Sequence, residues 1–348
     1  MNVTTIKQRC QRCILPDTFP GVSFNEKGIC NFCQRSPSKE QVTIVRQALQ
    51  QEMAQIIKQH KGSGMYDCIV AFSGGKDSSY TLKLLVEEYH LNCLAVTIDN
   101  GFISEQAYKN CKTITQSLGI DHIFYTPATS FMNKMYRKSA EAEGVHTRSA
   151  IKRASCMCNS CINLINNYMI KLSLQNGVGL IAGGYIGGQV PKDAAVMVVN
   201  LSAQAKHRTV ANERYVKHFG KEANRYYGLP ATLLQEQQSV TIINPMLTVA
   251  INEEEIIDCI TPLGWKKTKD TGKNSSNCRL NDLGIAVHHK QYGFNPYVFE
   301  LALQVREGVM DRVAALAKVE TIPTEQEVAQ QAKTIGLNLD TIDSRFKK

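Results

Sequence analysis

The sequence predicts an α/β fold built on a doubly wound parallel sheet. Short apolar runs typical of buried strands alternate along the chain with longer stretches of helical period. Strands that are separated by helices pair in parallel, so ligands should bind beyond their carboxyl ends. We expect strands at 67–72, 93–98, 121–125, 178–183 and 239–243, and helices at 78–89, 104–118, 129–142, 159–176 and 252–262.

The pattern divides the chain into four regions. Residues 1–40 are loop-like and carry paired cysteines, and 41–65 should form a connecting helix, because apolar residues recur there at nearly helical period. The alternating strands and helices occupy 66–250, within which 185–240 lacks clear periodicity and is expected to be a mobile segment that covers the substrate. Residues 251–348 are expected to be mostly helical.

Composition narrows the class of protein. The chain has 348 residues and 43% hydrophobic content, enough for about two globular domains. It has no run of about 18 apolar residues, so we expect no membrane span. Twelve cysteines without an apolar secretion segment favour a reducing, cytoplasmic location. The net charge of +9 suits an anionic ligand such as a nucleotide, a nucleotide sugar or tRNA.

A glycine-rich turn follows the first predicted strand and precedes a predicted helix. Backbone N–H groups and the positive end of the helix meet there, which favours a bound phosphate. The glycines permit a tight turn, and a lysine adds a point charge. The Walker A spacing is absent. A turn without a ligand is the alternative to a nucleotide site. The sequence of the turn is Ser73-Gly74-Gly75-Lys76-Asp77-Ser78-Ser79.

This turn resembles the SGGKDS loop of the PP-loop ATP pyrophosphatases, whose HUP-like fold is a doubly wound sheet. In that family the loop grips the pyrophosphate of ATP, which is cleaved to AMP and pyrophosphate. The resemblance implies that residues 73–79 bind ATP with Mg²⁺ and that Lys76 and Asp77 take part in catalysis. Asp99, which ends the second strand, is expected to face the nucleotide or the magnesium; a solvated loop aspartate is the alternative.

The first cysteine group has the spacing of a zinc site. Two C-x-x-C pairs, Cys10 with Cys13 and Cys30 with Cys33, are separated by sixteen residues. Four thiolates fill a tetrahedral shell, so a structural Zn²⁺ is expected, and it would stabilise a segment too short to bury a core. Unrelated free cysteines and an iron-bound version of the same group are the alternatives.

The residues around this cysteine group resemble the amino-terminal segment of the bacterial N-acetyl sugar amidotransferases. The resemblance covers residues 10–21, which include Pro16-Asp17-Thr18-Phe19-Pro20-Gly21, and residues 24–30. Those enzymes are PP-loop proteins that convert an acetamido group on a nucleotide sugar into an acetamidino group.

A second cysteine group stands at the start of a predicted helix. Cys156, Cys158 and Cys161 lie within six residues, and a helix start is expected to lower the pKa of their thiols. They are candidates for ligating iron or carrying a persulfide. Buried cysteines that merely pack, or a second zinc site, are the alternatives.

With the distant Cys278, this group resembles the iron–sulfur-dependent tRNA thiolation enzymes, another PP-loop branch. Several of these place a C-x-x-C after the third strand and a distant third cysteine around a [4Fe-4S] cluster, leaving one iron open to bind sulfide. The match makes Cys158, Cys161 and Cys278 the cluster ligands. Cys156 is then an alternative ligand or a sulfur relay.

The leading functional expectation is an ATP-dependent sulfurtransferase. It would adenylylate a carbonyl or amide oxygen of a nucleobase, nucleotide or tRNA and replace it with sulfur, releasing AMP and pyrophosphate. The alternative is an N-acetyl sugar amidotransferase that receives ammonia from a partner glutaminase. A third reading is a zinc- and nucleotide-binding module without turnover. We expect a sulfur donor or a glutaminase as partner, and we allow for tRNA as substrate and for a homodimer.

Overall fold

The computed structural model describes residues 6–234, 239–272, 274–321 and 323–345. Within these residues six strands form one sheet, in the order β3-β2-β1-β4-β6-β5. The strands are β1 (Cys68–Ala71), β2 (Cys93–Ile98), β3 (Asp121–Tyr125), β4 (Leu180–Ala182), β5 (Val196–Asn200) and β6 (Ser239–Ile243).

The sheet is parallel except at one edge. β1 pairs in parallel with β2 and β4, and β3 and β6 continue the parallel arrangement on either side. β5 runs antiparallel to β6, with Val196 opposite Ile243. The α/β class is therefore confirmed, and the antiparallel edge strand is an addition that the sequence analysis did not predict.

Helices surround this sheet and extend beyond it in sequence. They are α1 (Asn31–Gln34), α2 (Lys39–His60), α3 (Lys76–Lys83), α4 (Glu105–Leu118), α5 (Thr129–Glu141), α6 (Arg148–Ile151), α7 (Cys156–Asn176), α8 (Ala205–Phe219), α9 (Ala223–Tyr227), α10 (Glu253–Ile260), α11 (Asn281–Tyr292), α12 (Val298–Glu307), α13 (Arg312–Glu320) and α14 (Glu325–Ile335). No described helix is long and apolar enough to cross a membrane.

Both faces of the sheet are buried, which explains the continuous apolar runs of its strands. Ile69 of β1 packs in a core with α5, α7 and α14, whereas its neighbours Cys68 and Val70 pack in a second core with α2, α3, α4 and α10. Successive residues of a strand point to opposite faces, so one short strand supplies both cores. This is the doubly wound arrangement.

The order of the strands places a crevice between β1 and β4. The chain winds outward from β1 in one direction through β2 and β3, and in the other through β4 and β6. Ligands of such sheets bind at this reversal, beyond the carboxyl ends of the strands. The glycine loop, residues 73–79, follows β1, and the Asp99 turn follows β2, so both lie on this edge.

The lack of periodicity at 185–240 hid regular elements in part of this segment, and its mobility and its covering of the substrate stay predictions. It contains β5, α8 and α9; residues 235–238 lie outside the described part of the chain. The buried residues of α8 are Tyr215 and Phe219. An apolar face this narrow gives no clear period in the sequence, which is why the helix was missed.

Helix boundaries differ from the predictions where caps decide them. α7 begins at Cys156 rather than 159, because Ser155 is its N-cap and accepts a hydrogen bond from the backbone N–H of Cys158. α3 begins at Lys76 rather than 78, and its last turn continues as a π-helix over Leu84–Glu88.

The amino-terminal cysteines fold against the carboxyl-terminal helices. We call residues 6–35 the cysteine lobe. Its Phe19 shares a core with Phe294, α12 and α13. The Thr18 hydroxyl donates to the carbonyl of Gly293 at 2.7 Å, and Arg312 donates to the carbonyls of Cys10 and Cys13. These bonds fix the lobe to a helical region that is distant in sequence.

Candidate functional site

The glycine loop turns in a way that only glycine allows at one position. Gly74 has φ +69°, and a Cβ there would lie 2.1 Å from the carbonyl oxygen of Ala107. Its own carbonyl accepts hydrogen bonds from Trp265 Nε1 at 3.0 Å and Asn110 Nδ2 at 3.2 Å. The loop is therefore clamped against α4, and its shape is set before any ligand arrives.

The serines of the loop hold it together from inside. Ser78 Oγ donates to the carbonyl of Gly75 at 3.1 Å and lies 3.1 Å from Ser73 Oγ. Gly75 is the N-cap of α3 and makes no side-chain cap bond. Because the first N–H groups of a helix have no partner within it, this end of α3 can receive an anion.

Lys76 and Asp77 form an ion pair at the mouth of the loop. Lys76 Nζ lies 2.8 Å from Asp77 Oδ1. Burial lowers the pKa of Lys76, but Asp77, Glu253 and Glu300 together raise it above its ordinary value. The lysine is thus a fixed positive charge at the start of α3, as binding of phosphate requires.

A cavity of about 590 Å³ opens beside this pair. Its size is within the range of small-molecule and nucleotide sites. The walls come from α2, α10, α12 and the segment 274–277, and they combine apolar residues such as Met246 with charged ones such as Glu253 and Lys318. The glycine loop therefore faces a chamber large enough for a nucleotide.

Glu300 of α12 is a charged residue of this cavity that the sequence analysis missed. It is only 7% exposed, and burial raises its pKa to about 7, with Asp77 adding to the rise. Lys76, Lys318 and a hydrogen bond from Gln189 oppose that rise. A glutamate in a helix usually indicates a solvated face, so no sequence signal pointed to it.

Asp99 lies on the predicted edge of the sheet, but its side chain makes a hydrogen bond within its own turn. Its Oδ1 accepts a hydrogen bond from the backbone N–H of Gly101 at 3.0 Å, which caps the turn after β2. It is not among the residues that line the cavity beside Lys76. Its proposed role with nucleotide or magnesium therefore stays a prediction.

Two cysteines of the second group, Cys158 and Cys161, lie near the distant Cys278 at the same edge. The amide of Asn100 donates to Cys161 Sγ at 3.8 Å and to Cys278 Sγ at 3.6 Å, and Cys158 stands three residues before Cys161 on α7. Residues three apart share a helix face. We call Cys158, Cys161 and Cys278 the thiol trio. A Cβ at Gly284 would lie 2.9 Å from Ser155 Oγ, the N-cap of α7, and only in ordinary contact with Cys158 Sγ, at 3.7 Å.

Cys156 points away from the thiol trio. Its Sγ donates to Gln291 Oε1 at 3.7 Å, and it is buried beside Arg345. Two residues along a helix turn the side chain to another face, so Cys156 and Cys158 do not share one. Its suggested role as a ligand or relay stays a prediction.

The expectation of lowered thiol pKa values at this helix start is wrong. Burial raises the pKa of Cys158 to about 11 and that of Cys278 to about 12, and it also raises the pKa of Cys161 although Tyr136 and Asn100 oppose the rise. Loss of hydration outweighs the helix end when thiols lie this deep. Such thiols are neutral at pH 7 unless a cation binds them.

Asn100 and Tyr136 were both missed as neighbours of the thiols. Asn100 has a usable signal, since it stands in the Asp-Asn-Gly turn directly after a buried strand, where polar side chains gather. Tyr136 is an interior residue of α5 and is fully embedded in the core. Helical periodicity marks it as a packing residue, and nothing in the sequence relates it to Cys161.

One segment connects the thiol trio to the glycine loop. The backbone N–H of Lys76 donates to Ser276 Oγ at 3.3 Å. The same segment pairs with the chain after β2, because Ser104 N–H donates to the carbonyl of Asn277 and Ile103 bridges to Cys278. Ser276, which contacts the glycine loop, is therefore only two residues before Cys278, the third thiol.

The first cysteine group is a separate, tighter cluster. Among the described residues, Cys10, Cys13, Cys30 and Cys33 are the one group of three or more His, Cys, Asp or Glu residues whose ligand atoms all lie within 4.8 Å of one another, and all four are buried. Cys10 Sγ and Cys33 Sγ are 3.7 Å apart, as are Cys13 Sγ and Cys30 Sγ. The predicted four-cysteine group is confirmed.

Backbone N–H groups point at the sulfurs of this cluster. The N–H of Cys30 donates to Cys10 Sγ at 3.2 Å, and that of Cys13 donates to the same sulfur at 3.4 Å. Hydrogen bonds from the Cys30 and Cys33 thiols lower the pKa of Cys13 to about 2. The same contacts raise the pKa of Cys30 to about 11 and raise that of Cys33 well above its ordinary value, so the hydrogen bonds alone favour one thiolate, at Cys13. A bound cation would be needed to keep the other thiols deprotonated.

The chain is similar to known proteins in sequence and in structure, at low identity. No family model matches the chain. It is 25% identical over 279 residues to MJ1599 of Methanocaldococcus jannaschii, a protein described as uncharacterized, and the match covers 80% of this chain and 81% of that protein. Among solved structures it is similar to the U34-tRNA thiolase NcsA from Methanococcus maripaludis with its [4Fe-4S] cluster. There the TM-score is 0.34 and the identity 15%, covering 99% of this chain and 98% of the other.

Proposed function

We propose that the protein is an ATP-dependent sulfurtransferase of the PP-loop type. The observation that carries the proposal is the shared segment 276–278. Ser276 hydrogen-bonds the first residue of the helix after the glycine loop, and Cys278 shares the amide of Asn100 with Cys161. In this proposal, the site that would activate an oxygen and the site that would supply its replacement lie side by side.

The chemistry has two steps. A carbonyl or amide oxygen of the substrate attacks the α-phosphorus of ATP, and the bond to the β-phosphate oxygen breaks to release pyrophosphate. Hydrosulfide then attacks the activated carbon, and the carbon–oxygen bond breaks to release AMP and leave a thiocarbonyl. ATP is required because AMP is a good leaving group whereas a carbonyl oxygen is not.

The residues beside the cavity have defined tasks in the first step. Lys76 and the N-terminal N–H groups of α3 stabilise negative charge that develops on the phosphates, with Mg²⁺ held largely by the phosphates themselves. Asp77 orients Lys76 through their ion pair. Glu300, with a pKa of about 7, is placed to hold or accept a proton at the cavity wall.

The thiol trio fits an iron–sulfur cluster better than a single ion. Its sulfurs do not form a group within 4.8 Å as those of the cysteine lobe do. Thiolates that bind different irons of a cluster stand further apart than thiolates around one ion. Cys158, Cys161 and Cys278 would hold the [4Fe-4S] cluster, and the cluster would supply a site for sulfide. Asn100 would orient two of its ligands.

The cysteine lobe fits a structural Zn²⁺. Thiolates at about 2.3 Å from a tetrahedral zinc lie about 3.8 Å from one another, close to the 3.7 Å between the paired sulfurs here. Four cysteines close the shell, so no position remains for a substrate. The metal would stabilise the lobe against α12 and α13.

The proposed partners follow from this chemistry. The substrate is an anionic nucleobase derivative, nucleotide or tRNA, and a separate sulfur donor supplies sulfide. We propose action in the cytoplasm, where thiols stay reduced, and a homodimer as the assembly to test.

Purification without oxygen tests the proposal. We expect a brown protein with iron and acid-labile sulfide, together with zinc, and formation of AMP and pyrophosphate from ATP. Cys278→Ala should lose the iron and keep the zinc. Cys259→Ala is the matched control, since Cys259 lies on α10 outside both groups, and it should keep both metals.

Two results would contradict the sulfurtransferase. One is absence of iron from protein prepared anaerobically throughout. The other is full activity of Cys278→Ala with ATP, sulfide and the substrate pool.

A second candidate function shares the first step. An amidotransferase would use ammonia in place of hydrosulfide and form an amidine on an acetamido nucleotide sugar. The four-cysteine lobe favours it, because the string at residues 16–21 that resembles those enzymes folds within this lobe. Ammonium-dependent AMP formation by iron-free protein would support this function, and sulfide-dependent AMP formation would exclude it.

A further inference from the structure

A second cavity, of about 470 Å³, lies where the cysteine lobe meets α12. The lobe contributes one wall and the main body the other, so the cavity exists only because the lobe is docked. The lining residues that matter here are Phe32, Arg35, Lys152, Lys192, Leu303 and Arg306.

The wall of this cavity carries four cations and no carboxylate. Lys192 is paired with Glu307, which stands behind the wall and also pairs with Arg46. Within the described part of the chain, Arg35, Lys152 and Arg306 form no ion pair. Arg306 lies close enough to Cys13 to lower the pKa of that thiol. Three cations without a paired carboxylate around one concave surface still favour an anion.

Arg306 is the most constrained of these cations. It is 9% exposed, and its Nη1 is buried with no hydrogen-bond partner among the described residues. Its guanidinium stands 6.0 Å from the ring centroid of Phe299, which holds the side chain in place. Leaving a buried guanidinium nitrogen without an acceptor is costly, and an anion in the cavity would supply that acceptor.

We propose that this cavity binds the phosphate group of a nucleotide, either free or within an RNA strand. Arginine and lysine together are the usual ligands of phosphate, and Phe32 offers an apolar ring beside them for a base or ribose. Lys192 and Leu303 line both this cavity and the one beside Lys76. The phosphate site therefore adjoins the glycine-loop chamber. It concerns binding alone and stands whether sulfur or nitrogen is transferred.

Calorimetric titration of the full-length protein tests this site. The probes are uridine 5′-monophosphate, an octamer of uridylate, and uridine as the phosphate-free control. We expect the two phosphate-bearing probes to bind and uridine not to bind. Arg35→Gln and Lys152→Gln should each weaken binding about 10-fold, the loss of one charge-assisted contact. Arg306→Met, which keeps the packing on Phe299, should abolish it.

Two variants serve as controls. Lys217→Gln removes one exposed charge on α8 and should bind as the unchanged protein does. Lys76→Ala should also bind, which separates this site from the glycine loop. Arg35 is exposed, so Arg35→Gln remains informative if Arg306→Met fails to fold.

The two sources of phosphate give different outcomes. An octamer that binds at least about 10-fold tighter than the monophosphate, with an affinity that falls as salt rises, identifies an RNA strand. Equal affinities identify a free nucleotide. Binding of neither probe, or unchanged affinity in both Arg35→Gln and Lys152→Gln, overturns the proposal.

Discussion

The two cysteine sites of this protein differ in how closely their cysteines lie, both in sequence and in space. In the cysteine lobe, four thiols come from one short stretch, all are buried, and paired sulfurs lie 3.7 Å apart. In the thiol trio, two cysteines come from α7 and the third from the segment that precedes α11, and the amide of Asn100 lies between two of them. The close packing of the cysteine lobe suits a single structural metal ion. The wider spacing of the thiol trio suits a larger ligand that a substrate must also reach.

This difference indicates which interactions stabilise each of the two cysteine sites. The lobe has little core of its own apart from what it shares with α12 and α13. Its order therefore depends on whatever holds the four thiols. The thiol trio sits on elements that are already fixed by the main core, so its loss should cost function before it costs the fold.

The largest expected effect comes from breaking the lobe. Cys33→Ser should lower the free energy of unfolding by more than about 4 kcal/mol, because loss of a structural metal removes a main source of folding energy. Cys161→Ser, the matched change in the thiol trio, should change it by less than about 2 kcal/mol. Urea unfolding with metal analysis measures both. Equal losses in the two variants would erase the distinction between the sites.

The second-largest expected effect comes from a change in the glycine loop, which the segment 276–278 joins to the thiol trio. Gly74→Ala forces a Cβ to within 2.1 Å of the Ala107 carbonyl. The loop must shift, so AMP formation should fall at least about 100-fold, since misplaced phosphate ligands cost that much. Gly101→Ala is the control, because it also has positive φ but has open space around its Cβ.

Thermal unfolding of both glycine variants separates loop strain from loss of fold. The left-handed backbone alone costs about 1 kcal/mol in each. Gly74→Ala that stays active would mean that the loop does not hold the phosphates.

Much of the fold was readable from the sequence. β2, β3 and β6 begin and end at the predicted residues. The pattern is clearest for β2, which is buried at every residue, whereas the edge strand β3 is only partly buried. The edge strand β5 was not readable, because Val196–Asn200 is short and its burial is mixed. Helix α8 was hidden in the same way by its polar surface.

The candidate site was readable where local motifs define it. The glycine loop is a contiguous motif, and the four cysteines of the lobe have a regular spacing within one short stretch of sequence. Glu300 was not readable, because its unusual pKa arises from burial against residues far away in sequence. The raised pKa values of the thiol trio have the same origin. Spacing predicts which residues meet, but it does not predict how much water they lose.

Glu300 gives an effect of intermediate size that depends on pH. Its folded-state pKa of about 7 lies above its ordinary value of 4.5. Between these values the folded protein holds a proton that the unfolded chain has lost, so the free energy of unfolding falls as pH rises. The stability that this proton confers is present below pH 4.5 and is lost as pH passes 7.

Comparison with Glu300→Gln isolates this contribution. The stability of the unchanged protein should fall relative to the variant by about 2 kcal/mol between pH 4.5 and pH 7. Urea unfolding at five pH values measures the difference. A constant difference across this range would show that Glu300 keeps an ordinary pKa.

The smallest effect tests the amide that lies between two thiols. Asn100 uses its two amide atoms differently: Oδ1 accepts from the N–H of Phe102 at 2.9 Å, and Nδ2 faces the sulfurs. Asn100→Asp keeps the acceptor, and hence the turn, but replaces the donor with negative charge. Iron affinity should fall about 10-fold, as expected when a hydrogen bond to a metal ligand is removed, while zinc content stays the same.

Asn25 supplies the matched control in the other site. Its Oδ1 accepts from the N–H groups of Lys27 and Ile29 in a turn of the cysteine lobe, and no contact joins its amide to a sulfur in the described structure. Asn25→Asp should therefore leave both iron and zinc unchanged. If Asn100→Asp retained full iron, the amide would be only a turn cap. The cluster proposed for the thiol trio would then be held by the cysteines alone, as the metal proposed for the lobe would be.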